Sequence, residues 1–144
     1  MADIHSGVSE LVKAARKHYK FATVDIAKED ISHNLLLVYA VECGLKAQYL
    51  RKHSKISTAA FIDLPSFKVD NKKYGHEHDI MKWVKELSLP AHVKGSFRDS
   101  GNYPLESLHQ RLRYGIVLRG RDMDSQKEQI AFLKRIMEAL IENL

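Results

Sequence analysis

Cysteine occurs once in this chain of 144 residues, at Cys43, so no disulfide can close within it. A reducing compartment is the simplest setting, and the expectation is a cytoplasmic protein with a buried thiol. No apolar run reaches the length of a membrane span, because Glu42 and Lys46 interrupt the longest one. The N-terminal MADIHSGVSELV has no basic segment followed by an apolar one, which argues against a secretory signal. Catalytic signposts are missing too: there is no GxSxG elbow, Gly-rich phosphate loop, tandem CxxC or HExxH. Internal repeats, low-complexity tracts and period-two strand patterns are also absent.

What is present is helical periodicity. Ile4, Val8, Leu11, Val12, Ala15, Tyr19, Ala22 and Ile26 recur at three- and four-residue steps, which predicts a first amphipathic helix of about seven turns. Its outer face carries Lys13, Arg16, Lys17 and Lys20. A break is expected near Lys28 to Asp30. A central helix then runs from about Ile31 to Arg51, apolar nearly all round from Leu35 to Leu50 as befits the middle of a bundle. Gly44 lies inside it, where glycine costs about 1 kcal/mol relative to alanine, so a neighbouring helix is expected to come close there.

From Lys52 to Gly75 the periodicity fades, with at most a short helical turn from Ala59 to Leu64 before Pro65. A third helix is predicted from His78 or Asp79, with Ile80, Trp83, Val84 and Leu87 on one face and Pro90 closing it. HVKGSFRDSGNY reads as a loop. Pro104 suits the first position of a fourth helix, whose core stripe is Leu105, Leu108, Leu112 and Ile116. Ser125 followed by Glu128 has the form of a capping box opening the last helix, with Ile130, Leu133, Met137, Leu140 and Leu144 as its seam. The expected fold is all-α, one domain over residues 1–144, in an up-and-down bundle of four or five helices.

Three groups of residues could carry chemistry. Glu42 interrupts the stripe of Leu35, Val38, Leu45 and Tyr49, and a buried carboxylate there needs a cation or several donors. Lys46, one turn on, suits an ion pair, and Arg111 or Arg113 could reach it from the fourth helix; the pair either stiffens the core or faces a ligand. His76, His78 and Asp79 form the second group, as two imidazoles and a carboxylate in one short segment. They fall short of the ligands a zinc site normally needs, so no metal is expected and Asp79 reads more simply as a helix cap.

The third group is RLRYGIVLRGR, Arg111 to Arg121, the densest positive stretch of a chain whose net charge is +5. Arg111 and Arg113 flank Leu112 and cannot share a face; Arg113 is expected nearer the core boundary. Arg111, Arg113, Arg119 and Arg121 beside Tyr114 suit phosphate contacts with base stacking. The alternative is a solvated face with one arginine turned in towards Glu42.

Taken together, AVECGLKAQYL in the central helix, GHEHDIMKWV at the third and RLRYG in the fourth resemble the HEPN superfamily, over about Ile31 to Arg119. That resemblance implies a helical bundle, often a homodimer, of the kind that acts in toxin–antitoxin, phage-defence and RNA-processing systems. Nuclease members of the family carry an arginine, four to six residues, then a histidine. The eight histidines here are at 5, 18, 33, 53, 76, 78, 92 and 109, and none has an arginine at that spacing before it.

Three readings of function follow. The first is a non-catalytic HEPN-like module of a bacterial conflict system, without a cofactor, that binds RNA or a nucleotide-bearing ligand through its basic face. The second is an immunity or antitoxin protein that covers a toxin or effector. The third is a ribonuclease with an unorthodox set such as His76, His78, Asp79 and Arg113. Basic charge leans towards nucleic acid and away from an inhibitor of a basic toxin.

Overall fold

The computed structural model describes residues 7–23, 31–52, 80–87, 89–95, 97–99 and 101–142. Among them are six α-helices and no β-strand, so the described part of the chain is all-α. The helices are α1 (Val8–Thr23), α2 (Ile31–Lys52), α3 (Ile80–Leu87), α4 (Ala91–Lys94), α5 (Leu108–Arg113) and α6 (Gly120–Ile141). A 3-10 turn, Leu105–Ser107, leads directly into α5. Several expectations lie outside the described residues: the break at 28–30, the turn at 59–64, the helix start at His78 or Asp79, and Leu144.

α2 is the hub, packed by α1 along much of its length and also by α3, α5 and α6. Its composition explains this. Leu37, Val38, Ala40, Val41, Leu45, Ala47, Tyr49 and Leu50 are all buried, so α2 has apolar contacts on every side rather than along one stripe. Tyr49 meets Trp83 of α3 edge to face at 5.1 Å between ring centroids, a geometry favoured by the ring quadrupoles. Gly44 does what its place in the helix suggested. A Cβ there would stand 3.2 Å from Leu140 Cδ1, 3.7 Å from Met137 Sδ and 3.8 Å from the Ala15 Cβ, so α1 and α6 both close on this point.

α6 carries the other large share of the core through Phe132, Leu133, Ile136, Met137 and Leu140. Phe97 stacks on Phe132 at 4.3 Å, and Arg135 lies over the same ring while its Nε donates to the Val93 carbonyl at 2.8 Å. These contacts hold the 93–97 segment against α6. In consequence HVKGSFRDSGNY is not a loop throughout: His92 and Val93 lie in α4, whose single turn follows Pro90 and buries Val93.

Two helix boundaries differ from expectation. α6 begins at Gly120, more than a turn before the Ser125–Glu128 pattern, which therefore sits inside the helix and not at its cap. α5 stops at Arg113 because Gly115 takes a φ of +64°, a left-handed conformation that only glycine adopts without strain. The Ile116 amide then donates to the Arg111 carbonyl at 2.9 Å and the Gly115 amide to Leu112 at 3.4 Å. This is a Schellman closure, and it satisfies the last carbonyls of the helix. Ile116 is thereby released from the expected core stripe and is 48% exposed.

Candidate nucleic-acid interface

The positive stretch that begins on α5 is divided between the interior and the surface. Arg111 is 4% exposed and turned towards α6, the reverse of the expectation that Arg113 would lie nearer the core. Its Nε donates to Gln126 Oε1 at 3.2 Å and its Nη2 to Gln129 Oε1 at 2.7 Å. Nη1 reaches both the Pro104 carbonyl at 3.0 Å and Ser107 Oγ at 2.6 Å. Gln129 passes the network on, donating to the Tyr103 carbonyl at 2.8 Å and to Asp99 Oδ1 at 3.3 Å. Asp99 in turn accepts the Leu105 amide on both oxygens, at 3.0 and 3.1 Å, and so fixes the start of the 3-10 turn.

The Arg111 guanidinium also lies 5.5 Å from the Tyr103 ring centre. Burial pushes its pKa down, while Asp99 and Tyr103 act in the opposite direction. The charge is held by oriented oxygens rather than by a single counter-ion, which is how a buried polar group avoids its desolvation penalty. Arg111 is therefore a structural tie between α5, α6 and the 99–107 segment, and its expected place on a phosphate-binding face is corrected. Glu42 is 8% exposed, as anticipated, and it is engaged.

Arg113 stands at the surface. Its Nη2 donates to the Tyr39 hydroxyl at 3.2 Å, and hydrogen bonding to Tyr39 and to Tyr114 holds its pKa above the ordinary arginine range. Tyr39 belongs to α2, and its ring is tilted against His18 of α1 at 5.9 Å. His18 is held below the usual histidine pKa, first by burial and then by Lys17. Lys46 follows Tyr39 at i+7 and shares its side of α2, with Cys43 between them. Burial pushes the Cys43 thiol up; Lys46 opposes that and Glu42 adds to it.

Beyond Arg113 the chain runs in the open. Tyr114 is 72% exposed, Val117 70%, and Arg119 and Arg121 are exposed. Leu118 alone of this segment is buried and anchors it. Gly115 and Gly120, both at positive φ, turn the chain at either end. The result is a short presented segment with two β-branched side chains and Arg119, flanked by Arg113 and Tyr114 at the end of α5 and by Arg121 in the first turn of α6.

Of the residues expected to form a site, the structure brings Arg113 and Tyr114 together, leaves Arg119 exposed on the connection that follows and places Arg121, also exposed, in the first turn of α6. It moves Arg111 inside and places Glu42 and Lys46 on α2. His76, His78 and Asp79 lie outside the described residues. Tyr39 and His18 were missed. Tyr39 sits in an apolar run and reads as one more core residue, and no local pattern reveals its bond to a residue so distant in sequence. Among the described residues no three His, Cys, Asp or Glu side chains are grouped to hold a metal ion, and no helix is long and apolar enough to cross a membrane. Comparison of the chain with protein-family models, with curated proteins and with solved structures gives no match.

Proposed function

We propose that the protein is a non-catalytic RNA-binding module of HEPN-like, up-and-down helical architecture, working in a bacterial conflict or defence system. Single-stranded RNA is taken on the face formed by Tyr39, Arg113, Tyr114, Arg119 and Arg121. The observation that carries this reading is Arg113, exposed with its guanidinium on the Tyr39 hydroxyl and followed in the chain by the open Tyr114 ring. A guanidinium has five N–H donors, and the tyrosine contacts use only part of them, leaving others for phosphate oxygens. An exposed tyrosine stacks on any unstacked base, which selects single strands over duplex. The missing Arg-to-His spacing supports binding without cleavage.

The test is a titration of labelled single-stranded RNA at two salt concentrations. Wild-type protein should bind with a steep salt dependence, and each of Arg113→Ala, Arg119→Ala and Arg121→Ala should lower the logarithmic slope by about 0.7. Absence of binding at low salt, or binding indifferent to all three substitutions, overturns the proposal.

A second reading, a protein partner, is favoured by one specific observation: the exposure of Ile116 and Val117 between the arginines. Interfaces commonly combine an apolar centre with Tyr and Arg. Under that reading Ile116→Asp with Val117→Asp abolishes a salt-tolerant complex with a single protein, and RNA does not compete for it.

A further inference from the structure

α1 turns one side to the core and presents lysine on the other. Leu11 and Ala15 are buried, while Lys13, Lys17 and Lys20 are exposed. At 3.6 residues per turn the three lysines fall within an arc of about 60°, spread over about 10 Å of the helix axis. Their steps of four and three residues set like charges side by side, which works against the helix. Glu10, the one carboxylate of α1, stands about two turns before Lys17 and cannot neutralise the whole stripe. Arg16, exposed on the same side, is engaged and is left out of the site. A polyanion lying along the stripe would remove the repulsion at once.

The stripe is joined to the Arg113 face by a chain of contacts. Phe21 follows Lys17 at i+4 and His18 at i+3, so the three side chains share one flank of α1. His18 tilts against Tyr39 at 5.9 Å, and the Tyr39 hydroxyl accepts from Arg113 at 3.2 Å. Burial and then the Lys17 charge lower the His18 pKa, which puts Lys17 within electrostatic reach of this contact. Phe21 is 48% exposed, a large apolar ring on an otherwise charged surface. The two ends of the chain of contacts are alike. Each has a cation suited to phosphate and an open aromatic ring suited to a base.

We infer that α1 holds a second subsite for the same single-stranded RNA, with Lys13, Lys17 and Lys20 on its phosphates and Phe21 on a base, reached from Arg113 across Tyr39 and His18. This rests on the RNA reading and extends its site onto α1. A lipid surface fits less well, because the apolar side of α1 is committed to the core and Phe21 alone accompanies the lysines outward. An acidic polypeptide would answer the lysines, but it would have no use for aromatic rings at both ends of the track. Two subsites on one strand make binding depend on length. A short oligonucleotide fills one at a time, and a longer one gains from the effective concentration of its second half.

The experiment is fluorescence anisotropy on the full-length chain with labelled oligouridylates of about four and about twelve nucleotides, at two salt concentrations. The variants are Phe21→Ala and a triple substitution, Lys13→Gln with Lys17→Gln and Lys20→Gln. Wild-type protein should bind the longer strand about tenfold more tightly than the shorter, or better. The triple variant should lower the logarithmic salt slope for the longer strand by about 2 and remove most of its advantage. Its Tm should stay level or rise, because the like charges are gone. Phe21→Ala should weaken the longer strand about tenfold and the shorter one little. Loss of binding in Arg113→Ala with both α1 variants at wild-type affinity overturns this inference and leaves the RNA reading standing. Absence of RNA binding by the wild type ends both. Polyglutamate bound as tightly as the longer RNA, with Phe21→Ala indifferent to either, also overturns it. Should the triple variant fail to fold, Phe21→Ala and the length dependence decide.

Discussion

Arg111 and Arg113 stand two residues apart on the same short helix and meet opposite surroundings. Arg111 faces α6, where Gln126, Gln129, Ser107 and the Pro104 carbonyl surround its guanidinium with acceptors. Arg113 faces out, with a single tyrosine of α2 and its own neighbour Tyr114 as company. The same side chain is a fastening in one place and an open hand of donors in the other. A run of positive charge thus says how many arginines there are, and the neighbouring helix decides which of them a ligand can reach.

The strongest way to break this contrast is Arg111→Ala. It strands the oxygens of Gln126 and Gln129 in a buried site and releases the 99–107 segment, so urea denaturation should show a loss of roughly 3 kcal/mol. A loss below about 0.5 kcal/mol would place Arg111 with Arg113 as a surface residue. The outer partner should behave the other way. Tyr114→Ala should leave stability within about 0.5 kcal/mol of wild type, as exposed substitutions do. In RNA binding measured by fluorescence anisotropy it should forfeit about 1–3 kcal/mol.

Gly115→Ala sharpens the boundary between the two regions. A Cβ there meets no atom within 4 Å, so any effect comes from the positive φ alone, and thermal unfolding should show a loss of about 1–2 kcal/mol. The smallest effect is expected for Tyr39→Phe. It removes an exposed hydrogen bond at the surface, so stability should fall by no more than about 0.5 kcal/mol. RNA binding should weaken measurably in the same variant, because Arg113 loses the hydroxyl that orients it. A Tyr39→Phe protein that binds RNA like wild type would detach α2 from the interface.

The parts of this molecule that were legible in its sequence are those governed by local spacing. The all-round apolar character of residues 35–50 marks α2 as the hub, Gly44 marks the close approach, and Glu42 in the apolar stripe is buried as its position implies. The outer lysines and Arg16 of α1 are exposed as its periodicity requires. What stayed hidden depends on partners far apart in the chain. Gln126 and Gln129 look like surface residues of an amphipathic helix until Arg111 is brought to them, and Asp99 looks like a turn former until Gln129 and Leu105 claim its oxygens. The end of α5 was within reach of local rules, since glycine one residue past a helix is a stop signal. The apolar stripe through Ile116 argued against it, and the stripe was the weaker cue.

The connection between Gly115 and Gly120 has a consequence for how such a protein can change over generations. Both turning points are glycines at positive φ, and Leu118 is the one side chain between them that the core holds. Ile116, Val117 and Arg119 can therefore be exchanged, singly or together, without disturbing the one residue that anchors the connection. Selection can rewrite the surface chemistry of this edge while α2, α6 and the Arg111 tie stay as they are. The chemistry of this edge and foldedness are inherited here as separate traits, and drift in the first does not threaten the second.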